Sequence, residues 1–151
     1  MDDILVQSLV AFVADVFFAV LLKSPRRSLF QIGLTGAVGW FIYLLSVPYV
    51  DKVVATLFAS LTIALLSQYF ARVLKTPATV YFLPAFIPLV PGEGVYRAVF
   101  AFIESDYSSA TVHLNGALLI SGAIAVAIFL VDSLISLKLR LNFIKFNKKE
   151  D

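Results

Sequence analysis

The strongest constraint in this sequence is a set of apolar runs, each close to the length of one bilayer crossing. A helix that spans ~30 Å of hydrocarbon needs about 20 predominantly apolar residues. Such runs occupy residues 4–22, 29–50, 53–71 and 112–137, and a fifth, 80–103, is apolar but interrupted by Pro84, Pro88, Pro91, Gly92 and Gly94. Short polar connections separate them: KSPRRS (23–28), DK (51–52), RVLKTPAT (72–79) and ESDYSSA (104–110). Soluble chains are about 45–50% apolar and 25% charged, whereas these 151 residues are 60% hydrophobic and 15% charged. A water-soluble fold of this size has too little interior for so much apolar surface. The chain is therefore read as a single all-α transmembrane domain, residues 1–151, in the lipid bilayer of the cell (plasma) membrane. The N-terminal run is preceded by acidic residues and followed by no small-residue cleavage site, so it is read as a retained span rather than a signal sequence.

Placement of charge sets the expected orientation. Ten of the twelve cations, Lys23, Arg26, Arg27, Arg72, Lys75, Lys138, Arg140, Lys145, Lys148 and Lys149, fall in the first connection, the third connection and the tail 138–151. Short cytoplasmic segments carry such an excess of Lys and Arg. Those three segments share one side only if 80–103 crosses the membrane. That gives five transmembrane helices with the N-terminus outside and a basic cytoplasmic tail. A re-entrant fourth segment is the alternative, and it places the lysine-rich tail outside. Sets of small residues, Gly33/Gly36/Gly39, Ala55/Ala59 and Ala117/Ser121/Ala125, predict close helix packing or a partner interface.

The interrupted segment is where function is expected. Each proline removes a backbone donor and clashes with the carbonyl four residues before it. Irregular backbone at membrane depth is tolerated only inside protein or beside a water-filled cavity. Discontinuous helices of this kind build transporter sites, with half-helix N-termini facing anionic groups. The motif PGEG (91–94) is expected to end one half-helix, with Val95 opening the next. Pro91, Gly92, Glu93, Gly94, Tyr96 and Arg97 form the candidate substrate site, in which exposed amides and the Arg97 guanidinium receive a carboxylate. A proline kink that only shapes the bundle is the competing reading.

Ionisable residues inside the spans are few. Asp15 lies near the middle of the first run, where an acid is costly and faces the bundle interior or a water path. It is the candidate for proton coupling, with a neutral Asp hydrogen-bonded to a neighbouring helix or to the partner subunit as the alternative. Asp132 is read as structural or as paired with Lys138 or Arg140; Gln68 and Tyr69 as interfacial anchors; Trp40 and Tyr43 as packing. His113 opens the last span as a gating or interfacial residue, and one histidine with no clustered acid predicts no metal site. No cysteine, no GxxxxGK[ST] loop and no GxSxG element are present, so thiol catalysis, ATP hydrolysis and a nucleophile-elbow enzyme are not expected, nor is any cofactor. Nucleic acid is not an expected partner.

The stretch TPATVYFLPAFIPLVPGEGVY, with KSPRRSLFQIGLTGAVGW upstream, resembles the threonine/serine exporter family, in particular its smaller, separately encoded five-span subunit. The likeness is anchored by Gly36, Gly39, Trp40, Pro88, Pro91, Gly92 and Tyr96 and covers nearly the whole chain. It implies a membrane subunit of a secondary exporter for small carboxylate-bearing metabolites, threonine and serine or a dicarboxylate such as succinate. It also implies a larger multi-span partner subunit, with a homo-oligomer as the other arrangement. The resemblance assigns no role to Glu93 or Arg97, which rest on their chemistry alone. An accessory membrane protein that shapes an assembly without binding substrate is the alternative.

Overall fold

The computed structural model describes residues 2–147, and every element in it is helical. In chain order these are α1 (Asp2–Leu21), α2 (Leu29–Ser46), α3 (Lys52–Val73), α4 (Thr79–Ala85), α5 (Gly92–Ile103) and α6 (Tyr107–Asn147), with single 3-10 turns at Arg26–Ser28 and Ile87–Leu89. Four helices are long and apolar enough to cross a membrane, or five if the bent pair Thr79–Leu89 and Gly92–Ile103, which meet at 50°, is one span.

Helix ends follow from local chemistry. The run expected to continue to residue 50 stops at Ser46: Val47 keeps helical dihedrals, but Pro48 has no amide to give the Leu44 carbonyl and the ladder ends. The Asp51 carboxylate accepts from the Val53 amide at 3.0 Å and starts α3. α1, α3 and α5 each end on a residue with left-handed backbone, Lys23 (φ 55°), Lys75 (φ 51°) and Ser105 (φ 64°). In each case the next amide reaches back to the final turn: Ser24 to the Ala19 carbonyl, Thr76 to Ala71 and Asp106 to Ala101, all 2.9 Å. Glycine is usual at such positions; lysine there places a cation against the negative end of the helix dipole.

Packing is by close approach rather than by hiding apolar surface, since the lipid is as apolar as leucine. Large aliphatic and aromatic side chains such as Leu9, Phe17, Leu118 and Phe129 point outward, whereas the interior is lined by alanine, glycine and hydroxyl residues. The glycine stripe of α2 is used on two sides. Gly33 and Gly36 receive α1, with Val16 Cγ2 only 2.7 Å from where a Cβ on Gly33 would lie, and Gly39 receives Ile63 of α3. Ala55 and Ala59 are buried on α3. The stripe expected on the last span is corrected: Ala117 is buried, but Ser121 and Ala125 are exposed, and α6 turns Ala123, Ala127 and Val131 inward instead.

Two buried clusters organise the bundle. Ala59, Ile63, Ala64, Ala85, Phe86, Leu89 and Val131 join α3, α4 and α6 around the break. Ala19, Ile32, Ala71 and Tyr81 close the opposite end, where the connections 23–28 and 74–78 lie. α4 packs against α1, α2 and α3, whereas the principal contact of α5 is with α6. The 41-residue α6 is ~60 Å long at 1.5 Å per residue. It carries the beginning of the basic tail as continuous helix; residues 148–151 and the side chains beyond Lys138 lie outside the described residues.

Candidate functional site

The break does not fall where the sequence places it. PGEG does not end a half-helix: α4 stops at Ala85, a 3-10 turn spans Ile87–Leu89, and α5 already begins at Gly92 behind Pro91. Proline weakens a helix interior, as Pro84 does one residue before α4 ends, but is tolerated at the first turn. The interruption therefore sits around Pro88 and Pro91, and Gly92, Glu93 and Gly94 become the first turn of α5 rather than the gap. Within that first turn the Gly92 amide donates to the Val90 carbonyl at 2.7 Å and the Val95 amide to Pro91 at 3.1 Å, which leaves the Glu93 and Gly94 amides without a helical carbonyl four residues behind them.

Beside the break lies a cavity of about 560 Å³. Its walls come from four helices and the break itself: Trp40 and Tyr43 of α2, Lys52 at the start of α3, Pro88–Pro91, then Glu93, Gly94 and Arg97 of α5 and His113, Gly116 and Ala117 of α6. α5 lies close to α6 because Gly94 has no side chain; a Cβ there would sit 3.4 Å from the Ala117 Cβ. Trp40 and Tyr43 stack with ring centroids 5.1 Å apart and form one flat wall. Within this cavity Arg97 and Glu93 form an i,i+4 ion pair, with Nη2 to Oε1 2.7 Å and Nε to Oε1 2.9 Å. Both side chains are well exposed, 58% and 76%, so neither charge is sealed off by the other.

Of the candidate substrate residues, Pro91, Glu93, Gly94 and Arg97 line this cavity. Gly92 and Tyr96 do not: no neighbour lies within 4 Å of a Cβ built on Gly92, and Tyr96 is exposed and stacks on Phe100 at 6.1 Å. Lys52 and His113 supply polar groups that come from distant parts of the chain. Lys52 carried no signal beyond its position in a two-residue connection, and only folding brings it to Arg97. Trp40 and Tyr43, read as packing, form part of the wall.

Asp15 is fully buried between α1 and α2, and neither carboxylate oxygen has a hydrogen-bond partner among the described residues. It reaches the backbone of α2 at Gly36, where any added Cβ would overlap it. The bond to a neighbouring helix considered for it is therefore not made. Asp15 is not part of the cavity lining. Asp132 has a structural contact: Gln68 Nε2 of α3 donates to its Oδ1 at 3.2 Å and ties the two helices together, while the Arg140 side chain lies outside the described residues. In the connection before α6, the Asp106 carboxylate accepts from the Ser109 amide at 3.1 Å, and the Ser109 hydroxyl, then its amide, hold the carboxyl below its usual value.

The arrangement is a polar vestibule in an apolar chain, with mixed charge, an aromatic wall and a helix start, and it suits a small polar solute. Comparison with known proteins agrees in class. No curated protein and no solved structure matches the chain, but residues 7–134 match the family described as Threonine/Serine exporter, ThrE. The matched region takes in α2 to α5 entire and most of α1, together with every residue of the cavity wall. The chain belongs to the threonine/serine exporter family, a family of transporters rather than enzymes.

Proposed function

We propose that this protein is a membrane subunit of a secondary exporter and that the cavity beside Pro88–Pro91 receives its substrate, serine or threonine. The observation that carries this reading is the Glu93–Arg97 pair opening into a cavity that also holds Lys52. An amino acid presents an ammonium and a carboxylate on one carbon. Glu93 and the guanidinium of Arg97, one turn apart on α5, offer the complementary charges, with the first-turn amides adding donors for the carboxylate. The Trp40–Tyr43 wall leaves an apolar face for the substrate's short side chain. A dicarboxylate such as succinate is the second reading, favoured by Lys52 and Arg97 as two cations but opposed by Glu93.

In this reading the bent pair α4–α5 is one discontinuous crossing, which places the N-terminus outside and the basic connections and tail in the cytoplasm of a cell whose plasma membrane it spans. The cavity then opens outward, and the Tyr81 cluster lies toward the cytoplasm. Asp15, buried without a partner, is the proton-coupling residue. A larger multi-span subunit supplies the remainder of the exporter; a homo-oligomer is the other arrangement. Efflux from preloaded cells tests the proposal. Expression of the chain with its genomic neighbours is expected to raise serine and threonine export. Failure to do so, with succinate exported instead, overturns the amino-acid reading. A C-terminal reporter active only outside the cytoplasm is expected to stay silent.

A further inference from the structure

Two sets of hydroxyl groups on the helices contrast. Ser8, Thr35, Ser46, Thr56, Thr62 and Thr111 each donate to the carbonyl four residues earlier, at 2.7–2.9 Å. That is the ordinary way for a serine or threonine in a helix to satisfy itself without water. Ser60 and Ser67 of α3 do not do so. Both are completely buried, and neither Oγ has a hydrogen-bond partner among the described residues. A buried hydroxyl left unpaired is costly, and such groups are few in native proteins.

Their position is specific. Seven residues of α-helix are two turns less ~20°, so Ser60 and Ser67 lie on one line along α3. Ile63, which meets Gly39 of α2, is ~60° to one side of that line, and Gln68, which meets Asp132 of α6, is ~80° to the other. The line thus faces the gap between α2 and α6, the side on which α3 packs against α4. On α4, Pro84 removes the amide that would serve the Val80 carbonyl, so the helix that packs against α3 carries a loosened turn of backbone. At one end the line approaches the cavity beside Tyr43, which lines the cavity and packs against the cluster of Ala59 and Ile63; Lys52, also in the wall, lies ~80° off the line on the Ile63 side. At the other it reaches Ala71, in the cluster around the buried Tyr81. The Tyr81 hydroxyl joins Thr76 Oγ1 at 2.8 Å and Ser28 Oγ at 3.2 Å, bridging the two connections at that end. Hydroxyls both donate and accept, so such a cluster can exchange its bonds for bonds to water when the helices part.

We infer that the Ser60–Ser67 face of α3 is the passage for a small polar solute between the cavity and the Tyr81 end, and that the Ser28–Tyr81–Thr76 cluster closes it. The two hydroxyls lack partners in this closed arrangement because their partners are the solute and its water. This inference rests on the transport reading, but the passage and the identity of the substrate are separable.

The chain has no cysteine, so single thiols report accessibility directly. Ser60→Cys, Ser67→Cys and, as an outward-facing control on the opposite side of α3, Leu65→Cys are placed in the full chain. Membrane vesicles from cells that also express its genomic neighbours are treated with a small charged methanethiosulfonate, with and without serine. Serine efflux by the unsubstituted chain is measured in the same vesicles. The expected result is reaction at positions 60 and 67 about tenfold or more faster than at 65, slowed by serine, the scale of a group that meets water against one that does not. Rates equal to the control overturn the passage whether or not serine is exported. Fast reaction that serine does not slow, in vesicles that do export serine, also overturns it as the substrate's route. Fast reaction in vesicles that export no serine upholds the passage and removes the amino-acid reading. Ser60→Ala and Ser67→Ala keep the test independent of folding. Removing an unpaired buried hydroxyl is expected to leave thermal stability unchanged or raised while efflux falls about tenfold; unchanged efflux in the double variant overturns the inference.

Discussion

The carboxylate of Asp15 occupies the space that a side chain at Gly36 would need. An acid in the middle of one apolar helix is accommodated by the one residue of its neighbour that has nothing to put in the way. The pair also explains how α1 and α2 come so close around a polar group for which the described residues provide no hydrogen bond. The glycine lets the backbones approach, and that approach shields the acid.

Gly36→Ala is therefore expected to destabilise the bundle by about 1–3 kcal/mol, the usual range for forcing extra volume into a packed interior. Thermal unfolding in detergent measures it. The clash is with the Asp15 side chain rather than with α1 backbone, so adding Asp15→Ala should restore much of the loss. A double variant no better than Gly36→Ala alone would show that the steric conflict lies elsewhere.

Asp15→Asn keeps the shape of the side chain and removes its ability to carry a charge. Folding is expected to persist. If Asp15 couples transport to protons, efflux in this variant should become indifferent to collapse of the transmembrane proton gradient, whereas the unsubstituted chain should slow. Equal sensitivity in both removes the residue from coupling.

The Glu93–Arg97 pair separates the two substrate readings. Arg97→Gln is expected to lower efflux about 10–100-fold, the scale of a charged hydrogen bond worth ~1.5–3 kcal/mol. Glu93→Gln should weaken serine efflux, because the acceptor for the ammonium is lost, and should not weaken export of a dicarboxylate. Competition between serine and succinate in the same vesicles gives the ratio directly.

Asp106 provides a pH-dependent feature outside the spans. Its carboxyl is held below the usual value by Ser109, so its contribution to starting α6 is present above the ordinary carboxylate range near ~3.9 and is lost as pH falls through the lower folded value. Hydrogen exchange at the Ser109 amide should accelerate over that acidic window. In Asp106→Asn the same amide should show no such step.

How much of this was legible in the sequence differs between elements. The spans were, because each apolar run is close to one bilayer crossing in length; Pro48 shortened α2, Asp106 started α6 ahead of residue 112, and α6 ran on past residue 137 into the basic tail. Pro91, Glu93, Gly94 and Arg97 were legible as a group because they are neighbours in the chain. Lys52, Trp40, Tyr43 and His113 were not, since their convergence depends on how four helices pack. Periodicity likewise did not say which small face of α6 would turn inward. Ala117, Ser121 and Ala125, or Ala123 and Ala127, satisfy the same spacing, and the partner helix decides. The misplaced break has a simpler cause: a glycine pair looks like a gap, yet directly after a proline it is also a permissible helix start.

The length of α6 has a mechanical consequence. One rod touches α5 beside the cavity and α3 along the core, then runs on well past the thickness of the hydrocarbon without a hinge among its described residues. Any tilt imposed where it meets Gly94 is carried as a larger sweep at its far end. A small movement beside the cavity is thereby felt as a displacement at the opposite end of the same helix.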